Sequence, residues 1–206
     1  MLVETVLSGI ALRGSYDVEA EIRSIPQGYG VKGMFFDRLL VVLGADFETV
    51  RATLDKPPER GRYVGFRDYP GTDFVRLAAA AARKAFPHLG LREAIRCLAL
   101  DDFRVFADST LGKVTLAVAS DARAVLKKVP FIYRNLAPGD WDISAEELDE
   151  RTVRLDFRPF IGRWEYAVGQ FEGAILHYGP RSIIHVSEHA GGHVRFDVEH
   201  SFPAQA

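Results

Sequence analysis

The sequence has one cysteine, Cys97, among its 206 residues. A single cysteine excludes an intramolecular disulfide, and it also excludes a zinc site built from several thiolates. Its apolar neighbours Ile95 and Leu98 indicate a small buried side chain of a helix rather than a reactive thiol.

A dominant charge of one sign is also lacking, and so are long apolar runs. The 26 lysines and arginines nearly balance the 28 aspartates and glutamates, so the broad basic field of a nucleic-acid-binding protein is absent. No stretch reaches the roughly 20 apolar residues of a membrane span, and the first residues do not resemble a signal peptide. We therefore predict a cytoplasmic protein with no nucleic-acid partner and no membrane span.

The motifs of several common catalytic sites do not occur. There is no Gly-x-Ser-x-Gly nucleophile elbow, no phosphate-binding G-x-x-x-x-G-K-[ST] loop and no G-x-G-x-x-G fingerprint. The acidic pairs Asp101–Asp102 and Glu146–Glu147 are sequence neighbours, so neither pair shares one face of a helix or strand. We expect no enzymatic activity and no cofactor.

Apolar residues are plentiful, at 48% of the chain, and their spacing predicts helices through most of the first 136 residues. Gly44 ends the first strong stripe, Thr72 is a candidate N-cap, and Pro130 is expected to break a helical run. We read residues 56–71 as a loop and residues 15–23 as ambiguous. The predicted segments are a short strand over 5–13 and helices over 31–43, 46–54, 72–86, 91–106, 109–119, 121–129 and 163–178.

The last part of the chain predicts a β-hairpin, with strands over 183–189 and 193–202 joined by a three-residue loop. This loop places apolar side chains on one face and polar side chains on the other, whereas a two-residue loop would mix them. The predicted opposing pairs are His189–His193, Ser187–Arg195, His185–Asp197, Ile184–Val198 and Val186–Phe196.

A second hairpin over 140–147 and 152–158 gives the C-terminal part the order ββαββ. The fold class is therefore α+β, with a helical N-terminal half packed on a four-stranded antiparallel sheet formed by the C-terminal unit. We expect a single domain over 1–206, since the sheet needs helices to cover one face. Its mainly helical part is 1–136, and its ββαββ part is 137–206.

Five of the six histidines lie between His177 and His200. His189 and His193 would have Cβ atoms ~4.5–5.5 Å apart, close enough to share a metal ion. His185 lies roughly 13 Å along the strand from His189 and cannot join them. Because two ligands make a poor site, we expect an exposed polar sheet face, and a metal site at His189 and His193 is the alternative.

Aromatic side chains are frequent on or beside the apolar stripes. Helices that cover a sheet can leave a cavity between the two layers, lined by such rings and a few polar groups. The candidate ligand-binding residues are Phe35, Phe103, Tyr133, Trp164 and Phe171, with Arg134 as a polar anchor.

Several stretches together resemble a known family. They are Val31-Lys32-Gly33-Met34-Phe35-Phe36, then Tyr69-Pro70, then Tyr133-Arg134-Asn135 before the paired strands. This layout resembles a paralogous family of unknown function found in myxobacteria. That family has no assigned activity, so the resemblance implies no catalytic residue.

The order of helices followed by ββαββ is also similar to a wider fold group. The group includes haem-dependent nitric-oxide sensor domains, four-vinyl-reductase-type ligand domains and the TRAPP vesicle-tether subunits. The resemblance implies a protein that binds haem, a lipid chain or another small hydrophobic molecule, or that serves as a dimerising scaffold. The Tyr-x-Ser-x-Arg motif that holds haem propionates in the haem branch is absent from this sequence.

We therefore expect a non-enzymatic sensor or adaptor that binds a small apolar or amphipathic ligand or a protein partner, and that forms a homodimer. The alternative is a metal- or haem-dependent sensor or enzyme that uses the C-terminal histidines.

Overall fold

The computed structural model describes residues 7–8, 15–140, 142–179 and 182–200. None of the helices within these ranges has the length and apolar character that crossing a membrane requires. The helices are α1 (Val18–Ser24), α2 (Gly33–Leu43), α3 (Phe47–Arg51), α4 (Gly71–Ala85), α5 (Leu91–Asp108), α6 (Thr110–Ala117), α7 (Ala122–Leu126), α8 (Val129–Leu136) and α9 (Trp164–Tyr178). The strands are β1 (Leu7–Ser8), β2 (Gly30–Lys32), β3 (Asp68–Pro70), β4 (Asp142–Glu147), β5 (Thr152–Arg158), β6 (Ser182–Glu188) and β7 (Val194–His200).

The main sheet has the strand order β1-β6-β7-β5-β4. Its four C-terminal strands are antiparallel, which confirms the predicted α+β fold with a ββαββ unit. β1 adds a fifth strand that runs parallel to β6, and Leu7 lies opposite Ile184. The rest of the strand predicted over 5–13 falls outside the described residues. β2 and β3 form a separate two-stranded sheet.

The register of the last hairpin agrees with its prediction. Ser187 pairs with Arg195, and His185, Ile184 and Val186 pair with Asp197, Val198 and Phe196. The loop has three residues, in which Gly191 and Gly192 adopt φ angles of 73° and 74° that side chains with a Cβ rarely tolerate.

The interior has two apolar clusters. The helical cluster is built mainly from α2, α4 and α5, and the sheet cluster from β5, β6, β7 and α9. Tyr29 and Tyr178 pack against both clusters, so they join the helical layer to the sheet layer.

The close packing of α5 on α9 sets the spacing of these layers. A Cβ atom on Gly169 would overlap the carbonyl oxygen of Arg96. A Cβ atom on Gly173 would lie 2.5 Å from the carbonyl oxygen of Leu100. Two buried acids of α9, which are Glu165 and Glu172, form ion pairs with Arg92 and Arg96 of α5 along the same interface. Only glycine allows these helix backbones to approach so closely.

Asp102 is a buried carboxylate at which three helices meet. It lies on α5 and accepts hydrogen bonds from the Arg38 guanidinium of α2 and from the Tyr166 hydroxyl of α9. Burial raises the pKa of Asp102 to about 6, although Arg38 and the Tyr166 hydrogen bond act in the opposite direction. The folded protein therefore binds this proton more tightly than the unfolded chain does.

Several details of the sequence prediction need correction. Val31 belongs to strand β2, and helix α2 begins only at Gly33. The predicted loop over 56–71 contains β3, which pairs with β2. Residues 15–23, whose class was ambiguous, contain most of α1.

The remaining differences concern helix starts. α4 begins at Gly71, directly after Pro70, so Thr72 is inside the helix rather than its N-cap. Pro130 stands in the first turn of α8 instead of breaking a helix, because the first turn leaves its backbone amides without intrahelical partners.

We predict that Gly169→Ala destabilises the fold. Alanine normally favours a helix by up to about 1 kcal/mol over glycine, but here the added methyl group must push α9 away from α5. Urea unfolding should show a loss of about 1–3 kcal/mol. Gly65→Ala is the control, since its Cβ would make an ordinary 3.6 Å contact with Met34. Equal stability of the Gly169 variant and the wild type would contradict this account of the interface.

We also predict a pH dependence of stability that belongs to Asp102. In the unfolded chain Asp102 has an ordinary Asp pKa near 3.9. Because the folded protein binds the proton more tightly, protonated Asp102 stabilises the fold below about pH 4. This stabilisation is lost as the pH rises to about 6. We compare the free energies of unfolding of the wild type and of Asp102→Asn across this pH window. The value for the wild type minus that for the variant should fall by up to about 3 kcal/mol and then stay constant. A difference that does not change between pH 4 and 7 would rule out the raised pKa.

Candidate functional site

A cavity of about 130 Å³ lies between the helical cluster and the sheet cluster. Its walls come from α2, α4, α5, α7, α8 and α9, from the segment around α1, and from the loop between β5 and α9. Most of its lining is apolar, and ten of the lining residues are aromatic: Tyr16, Tyr29, Phe35, Phe74, Phe103, Phe106, Tyr133, Phe160, Tyr166 and Phe171.

The space results from small residues that stand among these large rings. Ala78 of α4 and Ala167 and Ala174 of α9 are buried and face the cavity. Rings are rigid and cannot collapse into the volume that such short side chains leave open.

Two of the lining tyrosines have fixed hydroxyl groups. The Tyr133 hydroxyl donates a 2.9 Å hydrogen bond to Oε1 of Gln170, and the Tyr166 hydroxyl donates to Asp102. Burial raises the pKa of both phenols above the ordinary value. Both side chains are therefore neutral hydrogen-bond donors at physiological pH.

Arg163 is the basic residue of the lining, and its charge is balanced. Its Nε atom lies 2.6 Å from Oε2 of Glu21, and its guanidinium lies 4.8 Å from the centre of the Tyr16 ring. The Arg163 side chain is 31% exposed, whereas Glu21 is buried. The pair therefore joins a partly exposed guanidinium to a buried carboxylate.

The structure brings together four of the six predicted ligand-binding residues. Phe35, Phe103, Tyr133 and Phe171 all line the cavity. Trp164 does not, since it is buried in the sheet cluster with its indole N–H donated to Glu188.

Arg134 is also misplaced in the sequence prediction. It lies on the exposed side of α8, while its neighbour Tyr133 points inwards. Adjacent residues of a helix point in directions about 100° apart, so the polar anchor cannot follow directly after the buried tyrosine.

The prediction also omits Arg163, Tyr166 and Gln170. The signal for Gln170 is present in the sequence, because this polar residue lies within the apolar stripe of α9 between Ala167 and Ala174. An amide inside such a stripe indicates a buried hydrogen bond or a ligand contact.

His189 and His193, the candidate metal ligands, do not line the cavity. The rings of His189 and His193 stack with centroids 4.6 Å apart, and Nε2 of His193 lies 2.6 Å from Oδ1 of Asp156. Burial would raise the pKa of Asp156, but hydrogen bonds from His193 and Arg195 lower it overall. Within the described residues, no three His, Cys, Asp or Glu side chains are grouped so as to hold a metal ion.

Cys97 is half-buried on α5, and burial raises its thiol pKa.

Comparison with solved structures shows which fold this is. The unliganded Fe(II) H-NOX protein of K. algicida has a TM-score of 0.62 at 18% identity, over 85% of this chain and 99% of that one. An S. oneidensis H-NOX variant has a TM-score of 0.64 at 12% identity, over 85% of this chain and 99% of that one. A mutant of T. tengcongensis H-NOX has a TM-score of 0.63 at 13% identity, over 84% of this chain and 96% of that one. At such low identity these similarities establish the fold alone.

Comparison of the sequence with other proteins gives two results. No curated protein matches the chain. Residues 25–200 match the family described as "Protein of unknown function (DUF2378)". Since this match spans most of the sequence, the chain is a member of the DUF2378 family, with the fold of the H-NOX proteins.

Proposed function

We propose that this protein is a non-enzymatic sensor or adaptor domain that binds a small, mainly apolar ligand in the cavity between its helical cluster and its sheet cluster. The observation that carries the proposal is the cavity of about 130 Å³, walled by aromatic side chains from both clusters. Its size is similar to that of an engineered cavity of about 150 Å³ that takes up benzene.

The energetic cost of the cavity supports a role in binding. Protein interiors contain few voids larger than a water molecule, and an empty cavity costs ~24 cal/mol per Å³. On that scale an enclosed empty cavity of this volume would cost about 3 kcal/mol. A bound apolar molecule would recover much of this free energy, because it restores the missing packing contacts.

The lining supports binding rather than catalysis. It contains no serine, cysteine, histidine, aspartate, glutamate or lysine among the described residues. Its ionisable groups are four tyrosines and Arg163, which is paired with Glu21. The side chains that most often act as nucleophiles or general bases are therefore missing from the cavity walls.

We propose a cytoplasmic protein that reports ligand binding to a protein partner or to a second copy of itself. α6 and its C-terminal end expose Val114 and Val118 by 63% and 69%, one helical turn apart, which supports an apolar contact face there.

A haem-dependent sensor is the second candidate, because one of the similar solved structures comes from a study of haem distortion in the H-NOX family. Haem iron needs an axial ligand such as histidine, cysteine, methionine or tyrosine. No histidine, cysteine or methionine is found on the described lining, and burial raises the pKa of each of its four tyrosines. A phenolate ligand is therefore disfavoured, and the residues present do not fit haem.

We predict that Ala78→Leu abolishes binding of a benzene-sized probe, since the larger side chain fills the cavity. ¹⁹F NMR titration with fluorobenzene should show saturable binding to the wild type and at least tenfold weaker binding to the variant. Ala85→Leu, at an exposed position of the same helix, should bind like the wild type. If the folded Ala78 variant binds fluorobenzene as tightly as the wild type does, the cavity is not the binding site.

We predict that added hemin does not become ligated. The visible spectrum of hemin mixed with the purified protein should match that of hemin mixed with an unrelated protein, and gel filtration should separate the two components. A shifted Soret band that elutes with the protein would favour the haem-dependent sensor instead.

A further inference from the structure

Gln170 presents an unused hydrogen-bond donor on the cavity wall. Its Oε1 atom accepts the 2.9 Å hydrogen bond from the Tyr133 hydroxyl. No described residue accepts a hydrogen bond from its Nε2 amide, although Gln170 lines the cavity. Gln170 is only partly buried, so a ligand in the cavity can reach this amide, and an acceptor atom of that ligand would take the place of hydrogen-bonded water.

Tyr133 holds this amide in one orientation. Its ring packs edge-on against Phe157, with centroids 5.2 Å apart, and lies 6.5 Å from the ring of Phe171. Burial raises the pKa of Tyr133, so the hydroxyl stays protonated, and it donates its hydrogen bond to Oε1 of Gln170. The amide NH₂ group is then the end of Gln170 that is left for a ligand.

The walls also select against charge. The Arg163 guanidinium is already paired with Glu21, and the phenols of Tyr16, Tyr29 and Tyr133 have pKa values raised by burial. A charged ligand would lose its hydration without gaining an opposite charge, at a cost far above that of a neutral polar group.

We propose that the ligand is a neutral molecule of about benzene size that carries one hydrogen-bond acceptor oxygen, such as a cyclic ketone, lactone or ether, and that Gln170 Nε2 donates to this oxygen. This inference rests on the proposed function, since it assigns a chemical class to the ligand of the same cavity. It makes Gln170 a specificity residue and Tyr133 the residue that positions it.

The test compares the binding affinity of cyclohexanone with that of methylcyclohexane. The two molecules have the same number of heavy atoms, but cyclohexanone has a carbonyl oxygen where methylcyclohexane has a methyl group. We expect Gln170→Leu to weaken cyclohexanone binding about tenfold, as the loss of one neutral hydrogen bond implies. The same variant should bind methylcyclohexane as tightly as the wild type does, or more tightly. Gln27→Leu, in an exposed loop, is the matched control and should change neither affinity.

A second variant keeps the inference testable if Gln170→Leu does not fold. Tyr133→Phe leaves the amide free to rotate, so it should weaken cyclohexanone binding by about two- to fivefold and leave methylcyclohexane binding unchanged. Near-ultraviolet circular dichroism checks that each variant is folded.

The outcomes separate the two proposals. If both probes lose affinity equally in the folded variants, or if neither loses affinity, the acceptor class is wrong while the cavity remains a binding site. If neither probe binds the wild type, the proposed function itself fails at this ligand size. If only cyclohexanone binding weakens in the variants, the result supports both the cavity as a binding site and the acceptor class of its ligand.

Discussion

Gly169 and Gly173 bring the backbone of α9 against the carbonyl groups of Arg96 and Leu100 on α5, and no larger residue could occupy either position without moving a helix. The helix placed in this way serves both layers. Its Phe171 belongs to the sheet cluster, and its Ala174 belongs to the helical cluster. The width of the space between the layers therefore depends on a backbone contact rather than on side-chain size.

The buried ion pairs make this placement specific. Glu165 and Glu172 on α9 each require an arginine of α5, so a shift by one turn would leave buried carboxylates without partners. Asp102 extends the same interface to α2 through Arg38, and it holds the Tyr166 hydroxyl. The Tyr166 ring is thereby fixed as a cavity wall instead of being free to turn into the open volume.

The sequence predicts the sheet far better than it predicts the site. The register of the last hairpin follows from local rules, because a period of two on both strands and a glycine-rich loop allow one apolar face. The inward residues of the helices also follow from spacing, which is why Phe35, Phe103 and Phe171 are found at the cavity. Spacing cannot tell which of the two clusters an inward residue joins, and Trp164 lies in the sheet cluster rather than on the cavity wall. The pairing of Arg163 with Glu21 joins residues far apart in sequence, and no local pattern contains it.

The account depends on a mainly apolar cavity that can receive a small molecule. A crystal structure of the protein under xenon pressure tests this most directly, since xenon enters apolar cavities of this size. The account predicts a xenon peak among Phe35, Tyr133 and Phe171, with the surrounding helices unmoved. A cavity filled by several ordered waters, or one collapsed so that no xenon enters, would contradict it.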